Sequence, residues 1–135
     1  SLGSPNVDCT EKASGIGDGG MVGRSGENCE PLGNVLIAKK VGLPTEEDQY
    51  GVLTFEFDNE VEVFYEIGFL NILGSNSSVV FHQENRRPTI TPLISVGQNG
   101  LLKIVPSNLR NVKKIVVEMR SFSAVTHLKF CSNDP

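Results

Sequence analysis

The stretch Leu53-Thr54-Phe55-Glu56-Phe57-Asp58-Asn59-Glu60-Val61-Glu62-Val63-Phe64-Tyr65-Glu66-Ile67-Gly68-Phe69 decides the fold class. Leu53, Phe55 and Phe57 alternate with Thr54 and Glu56, and Val61, Val63, Tyr65, Ile67 and Phe69 alternate with Glu60, Glu62 and Glu66. Side chains of an extended chain point to opposite faces in turn, so this period of two marks half-buried strands. Asp58-Asn59 lies between the runs as a two-residue polar turn, and the pattern predicts a β-hairpin.

The same grammar continues on both sides. Asn34 to Ala38 is a short, buried-looking run, and Val79 to His82 follows the polar loop Gly74 to Ser78. Thr89 to Val96 is apolar but holds Pro92, which suits a sheet edge. Gln98-Asn99-Gly100 makes a turn before Leu101 to Val105. Asn111 opens a strand with Ile115, Val117 and Met119 on one face, and the closing strand runs from Ala124 to Cys131. Asn108 to Lys114 is the one candidate for a helical turn. About eight short strands with frequent turn signals predict an all-β protein, an antiparallel two-sheet β-sandwich of jelly-roll type. Residues 1–33 hold more than half of the fourteen glycines and no apolar periodicity. They read as a long Gly-rich N-terminal loop packed on a sandwich formed by 34–135, within one domain.

Composition bounds the function. A net charge of −4 over 135 residues argues against nucleic acid as a partner, since phosphate backbones need a basic surface. No run approaches the roughly 20 apolar residues of a membrane helix, and membrane insertion is not expected. Acidic residues crowd the first half, and basic ones concentrate from Arg86 onward. This asymmetry reads either as a solvated surface or as a dipolar module that stacks head to tail. The opening Ser1-Leu2-Gly3-Ser4-Pro5 suggests a processed product or an excised domain. Cys9 and Cys29 flank the Gly-rich stretch, where a bridge would stabilise the loop by roughly 3 kcal/mol in the chain-entropy model. Cys131 is then left as a buried thiol or a bond to another chain. Three reduced thiols in a cytosolic protein are the alternative.

Catalysis has few footholds. His127 and Cys131 share a strand face but lie roughly 13 Å apart at strand rise, too far for a nucleophile and its base. His82 reads as a surface strand histidine. Glu56, Glu60, Glu62 and Glu66 occupy a polar strand face, where solvation is the ordinary explanation. Neither a zinc Cys/His spacing nor a Gly-x-Ser-x-Gly elbow is present. Gly15 to Gly20 follows no strand and opens no helix, so it is not a phosphate loop. Asn76-Ser77-Ser78 is an N-glycan acceptor between strands. With only Tyr50 and Tyr65 and no Trp, an aromatic sugar platform is missing.

In order along nearly the whole chain, the motifs Leu2-Gly3-Ser4-Pro5-Asn6, Gly15-Ile16-Gly17-Asp18-Gly19-Gly20, Pro31-Leu32-Gly33-Asn34-Val35-Leu36-Ile37, Leu53-Thr54-Phe55-Glu56-Phe57-Asp58, Ile67-Gly68-Phe69-Leu70-Asn71-Ile72 and Ala124-Val125-Thr126-His127-Leu128-Lys129-Phe130-Cys131 resemble a β-sandwich domain of secreted and cell-surface proteins, many of them marine. Members of that family carry further N-terminal strands, beginning with a Cys-x-Asp-Phe-Glu segment. The resemblance implies that Cys131 pairs with a cysteine of such a strand, and that this chain is a C-terminal fragment or takes its missing strand from a partner. It also implies calcium as a candidate cofactor, with oxygen ligands drawn from Asn6, Asp8, Asp18, Glu27, Asn28, Glu30 and Asn34. The alternative is that these residues only keep a loop soluble.

Together these readings predict a non-catalytic extracellular module that binds another protein chain, by strand complementation or assembly, in a matrix, fibre or biomineral scaffold. A calcium-assisted carbohydrate-binding module, with a glycan as partner, is the alternative. A hydrolase or lyase is the least favoured reading.

Overall fold

The computed structural model describes residues 25–37, 51–107 and 109–132. Among these residues seven strands occur in chain order: β1 (Leu36–Ile37), β2 (Gly51–Leu70), β3 (Ser78–Gln83), β4 (Thr89–Pro92), β5 (Leu101–Ile104), β6 (Arg110–Met119) and β7 (Ala124–Ser132). The protein is all-β, with no helix among the described residues. Every strand pairing is antiparallel. One hydrogen-bonded sheet joins all seven in the order β1-β7-β2-β6-β3-β4, with β5 also on β2.

The expected hairpin at Asp58-Asn59 does not form. The 20 residues of β2 continue straight through it. A tight two-residue hairpin of the favoured type needs positive φ at its central residues. Neither Asp58 nor Asn59 is among the residues with positive φ. The polar pair instead lies where the β2–β6 register shifts, between Glu56↔Lys114 and Val61↔Val112. The first half of β2 pairs with β6, and the second half pairs with β7. Bulges of this kind bend a strand and increase its twist.

Two further irregularities lie between β2 and β7. Phe64 and Glu66 face the consecutive residues Phe130 and Lys129, so Tyr65 is an extra residue, as is Glu62 between Val61 and Val63. Each extra residue flips the pattern that follows it to the other face. Phe64 is therefore buried and Tyr65 exposed, the reverse of the expected alternation. The core draws on both halves of β2 through Val61, Phe64, Ile67 and Phe69, and on Val79, Phe81, Val112, Ile115, Val117 and Met119. Full burial of such a side chain contributes about 1.5–3 kcal/mol. The rings of Phe64 and Phe81 lie 5.3 Å apart.

Two smaller expectations also change. Residues 110–114 belong to β6, not to a helical turn. The run around β1 is not buried, since Leu36 is 49% and Ile37 37% exposed. The cause is position, because among the described residues β1 is the outermost strand and pairs only with Val125 and Ala124.

A buried polar cluster closes one end of the sheet. Asn71 follows β2 with φ 63°, a left-handed conformation that Asn adopts more readily than most residues. Its Nδ2 donates to Phe122 O (2.7 Å), and its Oδ1 accepts from Asn99 N (2.6 Å). Its backbone N donates to Gly100 O, and its carbonyl accepts from Ser123 Oγ at 2.9 Å. Asn28 Nδ2 donates to Asn99 O (3.1 Å), and Leu101 N donates to Gly26 O (2.8 Å). These bonds hold the segment after the Gly-rich stretch against the turn before β5.

Candidate functional site

The sequence-predicted residues distribute unevenly. Asn6, Cys9, Asp8 and Asp18 lie outside the described residues, and so does the test of a Cys9–Cys29 bridge. Among the other calcium candidates, Glu27, Glu30 and Asn34 are exposed, while Asn28 is buried and turned inward onto Asn99. Among the described residues no group of three or more His, Cys, Asp or Glu is placed to hold a metal ion. Asn76 is exposed in the loop between β2 and β3, as an acceptor for a glycan requires. No described helix is long and apolar enough to cross a membrane.

The most distinctive chemistry lies along β7. Glu66 is in register with Lys129, and Gly68 is in register with His127. Glu66 and His127 are thus diagonal neighbours on the pleat. His127 Nε2 lies 2.6 Å from Glu66 Oε2, and Lys129 Nζ lies 3.3 Å from the same oxygen. Thr126 Oγ1 is 2.9 Å from His127 Nδ1. An ionised carboxylate has no proton to give, so Nε2 donates to Glu66, and in the neutral imidazole Nδ1 accepts from Thr126. Burial raises the Glu66 carboxyl, but the hydrogen bonds from His127 and Lys129 outweigh it and hold the group below its ordinary value.

Two sequence features make this contact possible. Val125 and His127 face the consecutive residues Phe69 and Gly68, so Thr126 is an extra residue in β7. That bulge re-aims the side chains of Thr126 and His127. Gly68 supplies the space, because a Cβ there would overlap Thr126 Oγ1 and the His127 ring. A hydroxyl, an imidazole and a carboxylate thus stand in line. The sequence reading missed the trio because 61 residues separate Glu66 from His127. A lone glycine in a strand, which often marks a close approach, was the available signal.

The clamp holds one edge of β7 against β2. On the opposite edge β1 covers only Ala124 and Val125. From Thr126 to Ser132 that edge has no strand partner among the described residues. It carries Phe130, 41% exposed with its ring 5.3 Å edge-on from Phe57, and then Cys131, which is free and exposed rather than buried. The far edge of the sheet, β4, is unlike it. Leu93 N donates inward to Ser77 O, so position 92 faces its backbone nitrogen outward, and Pro92 has no N–H to offer. Comparison with protein-family models, curated proteins and solved structures finds no match to this chain.

Proposed function

We propose that the protein is a non-catalytic extracellular module that holds another protein chain by accepting one of its extended segments along the outer edge of β7. The observation that carries this reading is the edge from Thr126 to Ser132, which has no strand partner among the described residues, next to the free, exposed thiol of Cys131. An open edge presents alternating N–H and C=O groups that pair with any strand laid beside it. The exposed Leu36, Ile37 and Phe130 flank this edge and offer apolar contact to the incoming segment. Pro92 disfavours the same mode of binding at β4. A cysteine on the partner segment would close the union through Cys131.

The wider reading follows from the same features. The sheet curls into two layers about the bend in β2, as its change of partner from β6 to β7 suggests. A Cys9–Cys29 bridge and a glycan on Asn76 fit an oxidising extracellular setting, in a matrix, fibre or mineral scaffold. The test is intact mass and peptide mapping of the native protein under non-reducing conditions, with hydrogen exchange across 126–132. The expected result is Cys131 linked to a peptide of another chain and slowed exchange along that strand. A monomer with a free Cys131 thiol and unprotected outward amides would overturn the proposal.

A further inference from the structure

A second feature, independent of the β7 edge, lies where β3 ends and β6 begins. A cavity of about 270 Å³ there is lined by Gln83, Glu84, Arg86, Arg110 and Asn111. Gln83 Nε2 donates to Arg110 O at 2.7 Å, which ties the two walls together. Asn85 and Asn111 take φ of 56° and 54°, turning the backbone around the opening. Neither Arg86 nor Arg110 forms an ion pair with a described residue; the pairs present are Arg120–Glu118, His127–Glu66 and Lys129–Glu66. Glu84 is the one carboxylate among the described lining residues. Hydrogen bonding with Glu84 is the chief cause raising the Glu60 carboxyl above its ordinary value, with slight desolvation and the Glu84 charge adding to it and Lys113 opposing.

We propose that this cavity binds a small hydroxylated acid of monosaccharide size, a uronic acid being the simplest example. Two arginines that line one cavity, neither with a carboxylate partner among the described residues, supply guanidiniums suited to a planar or tetrahedral oxyanion. The volume is several times that of a water molecule and just below the roughly 300–1,000 Å³ of small-molecule sites, so a bare ion would leave most of it unused. The remaining lining, Gln83, Glu84 and Asn111, presents amide and carboxylate groups that accept and donate to hydroxyls. Among the described residues no apolar side chain lines the cavity to favour a fatty or aromatic acid.

The experiment is a titration of the whole chain with glucuronate, glucose or sulfate, followed by amide chemical shifts in nuclear magnetic resonance spectra. Glucuronate is expected to bind in the millimolar range and to move the signals of 83–86 and 110–111. Glucose, lacking the anion, is expected not to bind. R86Q or R110Q should weaken glucuronate about ten-fold each, as loss of a charged hydrogen bond implies, with spectra elsewhere unchanged. Sulfate binding as tightly as glucuronate would overturn the sugar assignment. Glucuronate shifts that persist undiminished in the R86Q/R110Q protein, or that fall elsewhere, would overturn the site.

Discussion

Replacing Gly68 with Ala tests the Glu66–His127 clamp most directly. Gly68 is fully enclosed in β2, and an added Cβ would overlap Thr126 Oγ1 and the His127 ring, with Nδ1 only 2.6 Å away. Backbone on both strands is held by the β2–β7 register, so the imidazole must give way. Overpacking of this kind costs about 1–3 kcal/mol. Displacing His127 also removes the 2.6 Å bond to a half-buried carboxylate, and a hydrogen bond to a charged group contributes about 1.5–3 kcal/mol. G68A should therefore lose about 3–5 kcal/mol, a large fraction of the roughly 5–15 kcal/mol that stabilises a domain. Urea denaturation followed by far-ultraviolet circular dichroism measures it, with an unchanged m-value showing that the loss lies in stability. In an H127A background the methyl no longer meets the imidazole, and its cost should fall to about 1–3 kcal/mol, leaving a coupling of at least about 1.5 kcal/mol. A G68A protein within about 0.5 kcal/mol of the parent, or a cost unchanged by H127A, would refute the reasoning.

Asn71→Ala should cost at least about 3 kcal/mol, because it removes the bonds to Phe122 and Asn99 and leaves a non-glycine residue without its local polar support at φ 63°. N71G restores only the backbone freedom and should recover about 1 kcal/mol of that loss in the same denaturation assay; full recovery would mean that the side-chain bonds contribute little. The acid limb of stability should depend on Glu66. Its folded-state value is depressed, so its contribution is present above the unfolded value near 4.5 and is lost as pH falls through the lower folded value. Thermal melts between neutral and strongly acid pH should therefore show a shallower acid decline in E66Q than in the parent, and an identical slope would assign that decline to other carboxylates.

What was legible in the sequence and what was not have separate physical causes. The all-β class followed from local alternation, and β6 shows why: Ile115, Val117 and Met119 sit on an unbroken ladder, so a period of two maps directly onto burial. The pattern misled wherever an extra residue entered a strand. Tyr65 and Phe64 exchange faces because of one bulge, and Asp58-Asn59 bends a single strand where the eye expects two. Bulges are set by pairing with a distant strand, and they leave almost no trace in the strand's own residues.

The clamp was hidden for the same reason. In sequence Glu66 reads as one of several solvated carboxylates, and the only thiol on the strand of His127, Cys131, lies too far along it to pair. Only the extra residue at Thr126 brings His127 over Gly68 and within reach of Glu66. The family resemblance implies a missing strand, but says nothing of which edge of this sheet lacks a neighbour. That is decided by two facts of register. Among the described residues β1 pairs only with Val125 and Ala124, and Pro92 faces its nitrogen away from β3. A strand edge becomes a candidate for binding through what pairs beside it and what can donate from it, and neither is a property of composition.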